Sequence, residues 1–188
     1  MSEVTTDRVL IGVFGLDRPG IVSTVSAVIT RFNSNLEQVS QVTLHGQFAL
    51  MCVVQKPADL SREVLEEALK EEIHRRKLNQ AVMIADFVEP PAPMDGEPYV
   101  ISVYGPDRND IITTFSKILA EQRINIESLR AFPIEDGQSL QVFETMIPMD
   151  VDRRALHRTL IDRAQHMGLR CNLQHRDIFE AIHRVKVE

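Results

Sequence analysis

The chain has 188 residues, of which 44% are hydrophobic and 26% charged, and it carries a net charge of −6. That length allows two small domains, each with a modest core, and the composition argues against bulk disorder. The negative charge disfavours direct nucleic-acid binding unless a basic patch is concentrated somewhere, and without a long charge-free apolar run no membrane span is expected.

Residues 1–8 are polar and acidic, without the basic region and apolar stretch of a secretory signal. Residues 9–14 form a short apolar run that predicts a strand, followed by a turn from Gly15 to Gly20. Ile21, Val22, Val25, Val28, Ile29 and Phe32 then recur at helical spacing. Two strands follow, at 36–44 and 47–55, joined by His45-Gly46 as a tight hairpin. A second helix is expected over 62–77, with Val64, Leu65, Ala68, Leu69 and Ile73 on its apolar face. Ser61 is its expected N-cap, and Leu60 with Leu65 its hydrophobic staple. A strand at 81–88 closes the first set. The proline-rich, acidic segment EPPAPMDGEP reads as a linker.

The same order returns. Strands are expected at 99–104, 125–134, 140–149 and 169–174, with helices at 111–121 and 153–167. Asp152 is the expected cap of the later helix, Val151 with Leu156 the staple, and Gly168 its stop. Ile178, Phe179, Ile182 and Val185 then mark a short amphipathic helix with no counterpart in the first half.

The two halves are written to one plan. Residues 15–40, GLDRPGIVSTVSAVITRFNSNLEQVS, align without a gap to residues 105–130, GPDRNDIITTFSKILAEQRINIESLR. Identical pairs include Gly15/Gly105, Asp17/Asp107, Arg18/Arg108, Asn35/Asn125 and Glu37/Glu127. A match of this kind says that one backbone is built twice. The expected fold class is α+β: two ferredoxin-like βαββαβ domains, each a four-stranded antiparallel sheet with two helices on one face. The expected domains span 8–89 and 99–175, with a linker at 90–98 and a C-terminal extension at 176–188. The runs at 48–54 and 81–85 are continuously apolar, so both faces of these strands ask for burial. Close packing of the two domains on each other, and a homodimer, are expected to provide it.

Candidate chemistry concentrates at Asp17-Arg18-Pro19-Gly20. Free N–H groups at a helix start hold a carboxylate, Asp17 suits an ammonium group, and Asn35 offers an amide. That set suits a free amino acid. An alternative is that Asp17 caps the helix while Pro19 and Gly20 shape its first turn. In the second copy Asn109-Asp110 replaces Pro-Gly, putting a negative charge where a carboxylate would sit; Asp110 is expected to cap its own helix. His45, His74, His157, His166, His175 and His183 form no metal-ligand spacing. Asp150 and Asp152 read as capping residues. Cys52 and Cys171 read as buried thiols of a reducing cytoplasm. No Walker loop, GxGxxG or GxSxG is present in the sequence, and no cofactor is expected.

These segments resemble tandem ACT domains. DRPGI at 17–21 with the later N-x-E at 35–37 carries the match, and Asn109-Asp110 departs from it. The resemblance covers about residues 8–176. The two-copy architecture also resembles the glycine cleavage system transcriptional repressor family. The resemblance implies a non-enzymatic cytoplasmic regulator that senses a small amino acid, glycine above all, and acts on a separate transcription factor by protein contact. It places the effector near the first loop, at Asp17, Arg18, Pro19, Gly20 and Asn35.

Overall fold

The computed structural model describes residues 6–92 and 95–184, without the side chains of residues 183 and 184. Val185 of the expected C-terminal stripe, the His183 side chain, residues 1–5 of the N-terminal segment and residues 93–94 of the expected linker lie outside what is described. The chain divides into two compact units, Met1–Pro91 and Ala92–Glu188.

Unit 1 runs β1 (Thr6–Leu16), α1 (Ile21–Arg31), β2 (Asn35–Leu44), β3 (Gln47–Pro57), α2 (Arg62–Arg75) and β4 (Ala81–Asp86). Its antiparallel sheet has the order β2-β3-β1-β4. Unit 2 repeats this with β5 (Gly96–Pro106), α3 (Ile111–Glu121), β6 (Asn125–Ile134), β7 (Gln138–Pro148), α4 (Arg153–His166) and β8 (Arg170–His175), in the order β6-β7-β5-β8. A final helix, α5 (Arg176–Arg184), lies against β5 and β8. Both units are thus βαββαβ with two helices flanking a four-stranded sheet, as the repeat implies.

Alternation decides which side chains enter the core. In unit 1, Val9, Ile11 and Val13 of β1 and Phe48, Leu50, Cys52 and Val54 of β3 meet Val25, Val28 and Ile29 of α1 and Leu65, Leu69 and Ile73 of α2. Each such side chain contributes roughly 1.5–3 kcal/mol by leaving water. Val22 and Val64, expected on the buried helix faces, are exposed instead, because each sits one position off its stripe. In unit 2, Phe115 of α3 and Phe143 of β7 meet as a tilted ring pair in the equivalent core with Ile101, Leu119 and Leu160.

Of the two faces of residues 48–54 and 81–85 that ask for burial, the helices of unit 1 cover one. Met51 and Met83 point away from the helices and stand 54% and 57% exposed, beside Phe14. The strands also run longer than their apolar runs. Thr6, Asp7 and Arg8 extend β1 because they pair with Pro57, Lys56 and Gln55. Likewise β5 reaches back to Gly96, into the segment expected as linker. Pro98 is tolerated there because β5 is paired on one side only until β8 joins at Tyr99.

The turns follow their residues. His45 and Gly46 both take positive φ, 49° and 73°, the mirror-image turn that matches strand twist. Ser61 caps α2 through Val64 N–H, and Asp152 caps α4 through Arg154 and Ala155 N–H. Gly168, at φ 71°, ends α4. Both β2 and β6 carry a bulge immediately after their second pair, at Glu37 and Glu127. Glu37 accepts from Arg8 of β1, which also reaches Glu89, and Glu127 accepts from Arg176 of α5.

Candidate functional site

The segment from Gly15 to Gly20 links the end of β1 to the start of α1. Two contacts tie it to the β2–β3 hairpin. Asp17 N–H donates to the Gly46 carbonyl at 2.9 Å, and Thr43 Oγ1 donates to Asp17 Oδ2 at 3.3 Å. The alternative in which Asp17 caps α1 is therefore corrected: its carboxylate is turned toward β2. Gly20 itself is the N-cap, at φ 99° and ψ −6°, and α1 has no side-chain cap. Its carbonyl accepts from Thr24 N–H and from the Ser23 and Thr24 hydroxyls. The first-turn N–H groups of a helix have no intrahelical acceptor. A side chain at Gly20 would meet nothing within 4 Å, so the space beside the helix start at Gly20 is open.

Asp17, Arg18, Pro19 and Gly20 thus share one exposed turn. Asn35 does not join them within unit 1. It opens β2 and pairs with Gln55, whereas the turn lies beside Leu44 and Gln47 at the other end of the strand. At about 3.3 Å per residue, the length of β2 separates them by roughly 30 Å.

The second copy keeps the frame and changes the chemistry. Asp107 N–H donates to the Gly137 carbonyl at 2.8 Å, matching Asp17 and Gly46. Asp110 is not a side-chain cap, contrary to expectation. Its two oxygens accept from Arg108 Nε and Nη2 at 2.9 and 2.8 Å. The arginine outcompetes the backbone N–H groups because it offers a two-pronged charged donor. This pairing holds the Asp110 carboxyl below its ordinary range.

Sequence reasoning missed Gln80. Its side chain is buried against the same loop, and Nε2 donates to the Leu16 carbonyl at 2.8 Å. The signal was available in the alignment of the halves: five residues, Arg76 to Gln80, join α2 to β4, whereas three, Met167 to Leu169, join α4 to β8.

Among the described residues, no three His, Cys, Asp or Glu side chains gather as a metal ion would require. Cys52 is buried and Cys171 half-buried, and both are free thiols pushed up by burial, to about 11 and about 12. No described helix is long and apolar enough to cross a membrane. An open depression of about 470 Å³ lies on unit 1 beside the β2 bulge, lined by Leu10, Val39, Met51 and Val53 among others.

A family model for the ACT domain matches residues 7–82, most of unit 1. A UPF0237 protein of Methanopyrus kandleri is 41% identical over 64 residues, covering 34% of this chain and 71% of that protein. The solved structure of an unknown protein from Galdieria sulphuraria superposes with a TM-score of 0.74 at 21% identity, over 91% of this chain and 99% of that one. A structure described as a candidate glycine cleavage system transcriptional repressor superposes at 0.66 and 15% identity, over 90% and 96%. At those identities the two structures speak for the fold alone. The chain therefore contains an ACT domain, in unit 1. It belongs to the family of the UPF0237 proteins.

Proposed function

We propose that the protein senses a small free amino acid, glycine first among the candidates, at the β1–α1 turn of unit 1. In this reading it acts in the cytoplasm as a homodimer and modulates transcription by contact with a partner protein, without touching DNA itself. The carrying observation is the uncapped, unobstructed start of α1 at Gly20. Open first-turn N–H groups suit a carboxylate, and Asp17, three residues earlier, suits the ammonium group. Arg18 and Pro19 shape the rim between them. Asn35, at the far end of the sheet, enters only as a contribution from a second chain. The fold shared with the candidate glycine cleavage repressor agrees with this reading and does not by itself assign the ligand.

Isothermal titration with glycine, alanine, serine and larger amino acids tests it. Saturable heat is expected with the small ones. Gly20→Ala, which forces a Cβ onto a left-handed backbone, is expected to weaken binding about tenfold or more, and Asp110→Asn to leave it unchanged. No saturable heat with any of them removes the sensor reading.

A second reading, a ligand-independent interaction module, draws on the sheet face of unit 1 that carries exposed Phe14, Val42, Met51 and Met83. Capture of one stable partner that is indifferent to added amino acids would favour it.

A further inference from the structure

Gln80 is buried, with 9% of its surface exposed, yet it belongs to no core. Its Nε2 donates to two carbonyls, Leu16 at 2.8 Å and Leu78 at 3.0 Å. Because both partners are acceptors, the orientation of the amide is determined: nitrogen toward the carbonyls, oxygen toward Gly15. That oxygen is buried and has no hydrogen-bond partner. A methyl group built on Gly15 would run into it and into Cδ. An orphaned buried amide oxygen costs stability, so this arrangement calls for a reason.

The reason lies in one peptide plane. The Leu16 carbonyl and the Asp17 N–H belong to the same rigid unit. Gln80 holds the carbonyl, and the Gly46 carbonyl holds the N–H. The plane that leads into Asp17 is therefore fixed on both sides. Unit 2 has only half of this. Asp107 N–H is held by Gly137, but Leu169 occupies the place of Gln80, its apolar side chain against Gly105. Among the described residues no side chain donates to the Pro106 carbonyl. The two additional residues of the α2–β4 connection make the difference. Leu78 fills the core as Leu169 does, at 7% and 4% exposure, and leaves Gln80 available for the loop.

We infer that Gln80 is a positioning residue, a clamp on the Leu16–Asp17 peptide that holds the β1–α1 turn of unit 1 in its binding geometry. The clamp rests on the amino-acid-binding reading for its purpose, though not for its existence. It makes unit 1 the competent copy and leaves unit 2 without a preorganised turn.

The test uses the full chain and three readouts: glycine titration, thermal unfolding and amide hydrogen exchange at Asp17. Gln80→Leu installs the residue that unit 2 carries. It is expected to speed Asp17 exchange at least tenfold and weaken glycine binding at least tenfold, with the melting temperature unchanged or higher because the orphaned oxygen is gone. Gln80→Glu keeps the size and removes both donors, so it serves if the leucine variant fails to fold, with the same exchange and binding losses expected. Gly15→Ala is expected to destabilise the wild-type chain and to be relieved by Gln80→Ala. Asp17 exchange and glycine affinity both within twofold of wild type in the Gln80 variants would overturn the clamp. A fall in melting temperature with exchange rising equally across unit 1 would reduce Gln80 to a structural role and overturn it too. If the wild-type chain gives no heat with glycine, the binding reading falls, and the clamp is judged on Asp17 exchange and the Gly15 rescue alone.

Discussion

Glu72, near the end of α2, accepts hydrogen bonds from both Arg75 and Arg76. These bonds, more than the bare charges, pull its carboxyl down to about 2. An unfolded glutamate titrates at about 4.3. A depressed native value means that the folded state is favoured by ionisation, so the contribution is complete above that unfolded value and drains away as the pH falls toward 2. Glu72→Gln is therefore expected to be less stable than wild type at neutral pH, with the gap closing in acid. Urea unfolding at several pH values between about 7 and 2 measures it, and a gap that stays constant would count against the pairing. The arginines at 75 and 76 fall in the last turn of the helix expected over 62–77. Their shared acid was also in plain sight, three and four residues back, at the spacing that brings helical side chains together. The capping roles offered for the carboxylates at 17 and 110 failed for the opposite reason. Their partners, Thr43 and Arg108, depend on loop geometry, which no local pattern encodes.

Helix starts separate the elements that carry their own instructions from those that do not. Ser61 and Asp152 cap as expected, with staples at Leu60 and Val151 packed on the cores. Ser61→Ala is expected to cost about 1 kcal/mol. Asp152→Ala is expected to destabilise as well, whereas Asp110→Ala, which removes no cap, should leave the urea midpoint unmoved. The order of strands and helices was readable because the apolar period changes from two to 3.6 at each junction. The ends were not. Thr6 to Arg8 look like a polar tail, and only the facing residues Gln55 to Pro57 make them strand. That Met51 and Met83 face away from the helices was not legible either, because a run of apolar residues does not say which face has a helix above it.

The repeat was the most legible feature of the whole molecule, and its small irregularities are what set the two copies apart. The offset between copies is 90 through the first helix and second strand, 91 from α2 to α4 and 89 from β4 to β8. That slip is the Asn79-Gln80 insertion, invisible as composition and visible only when the halves are laid side by side. With the turn of unit 2 closed by Arg108 and Asp110 and lacking the Gln80 amide, titration is expected to find one glycine per chain. Two equivalent sites would contradict the division of labour between copies.

The bulge carboxylates give the two copies different histories during synthesis. Arg8 precedes Glu37 by 29 residues, so its ion pair is available as soon as β2 leaves the ribosome. Arg176 follows Glu127 by 49, and every other strand and helix of unit 2 has been made before it appears. Chains emerge amino-terminus first. One blueprint is thus fastened early in its first printing and last of all in its second, and the closing helix is where the nascent second copy waits to be completed.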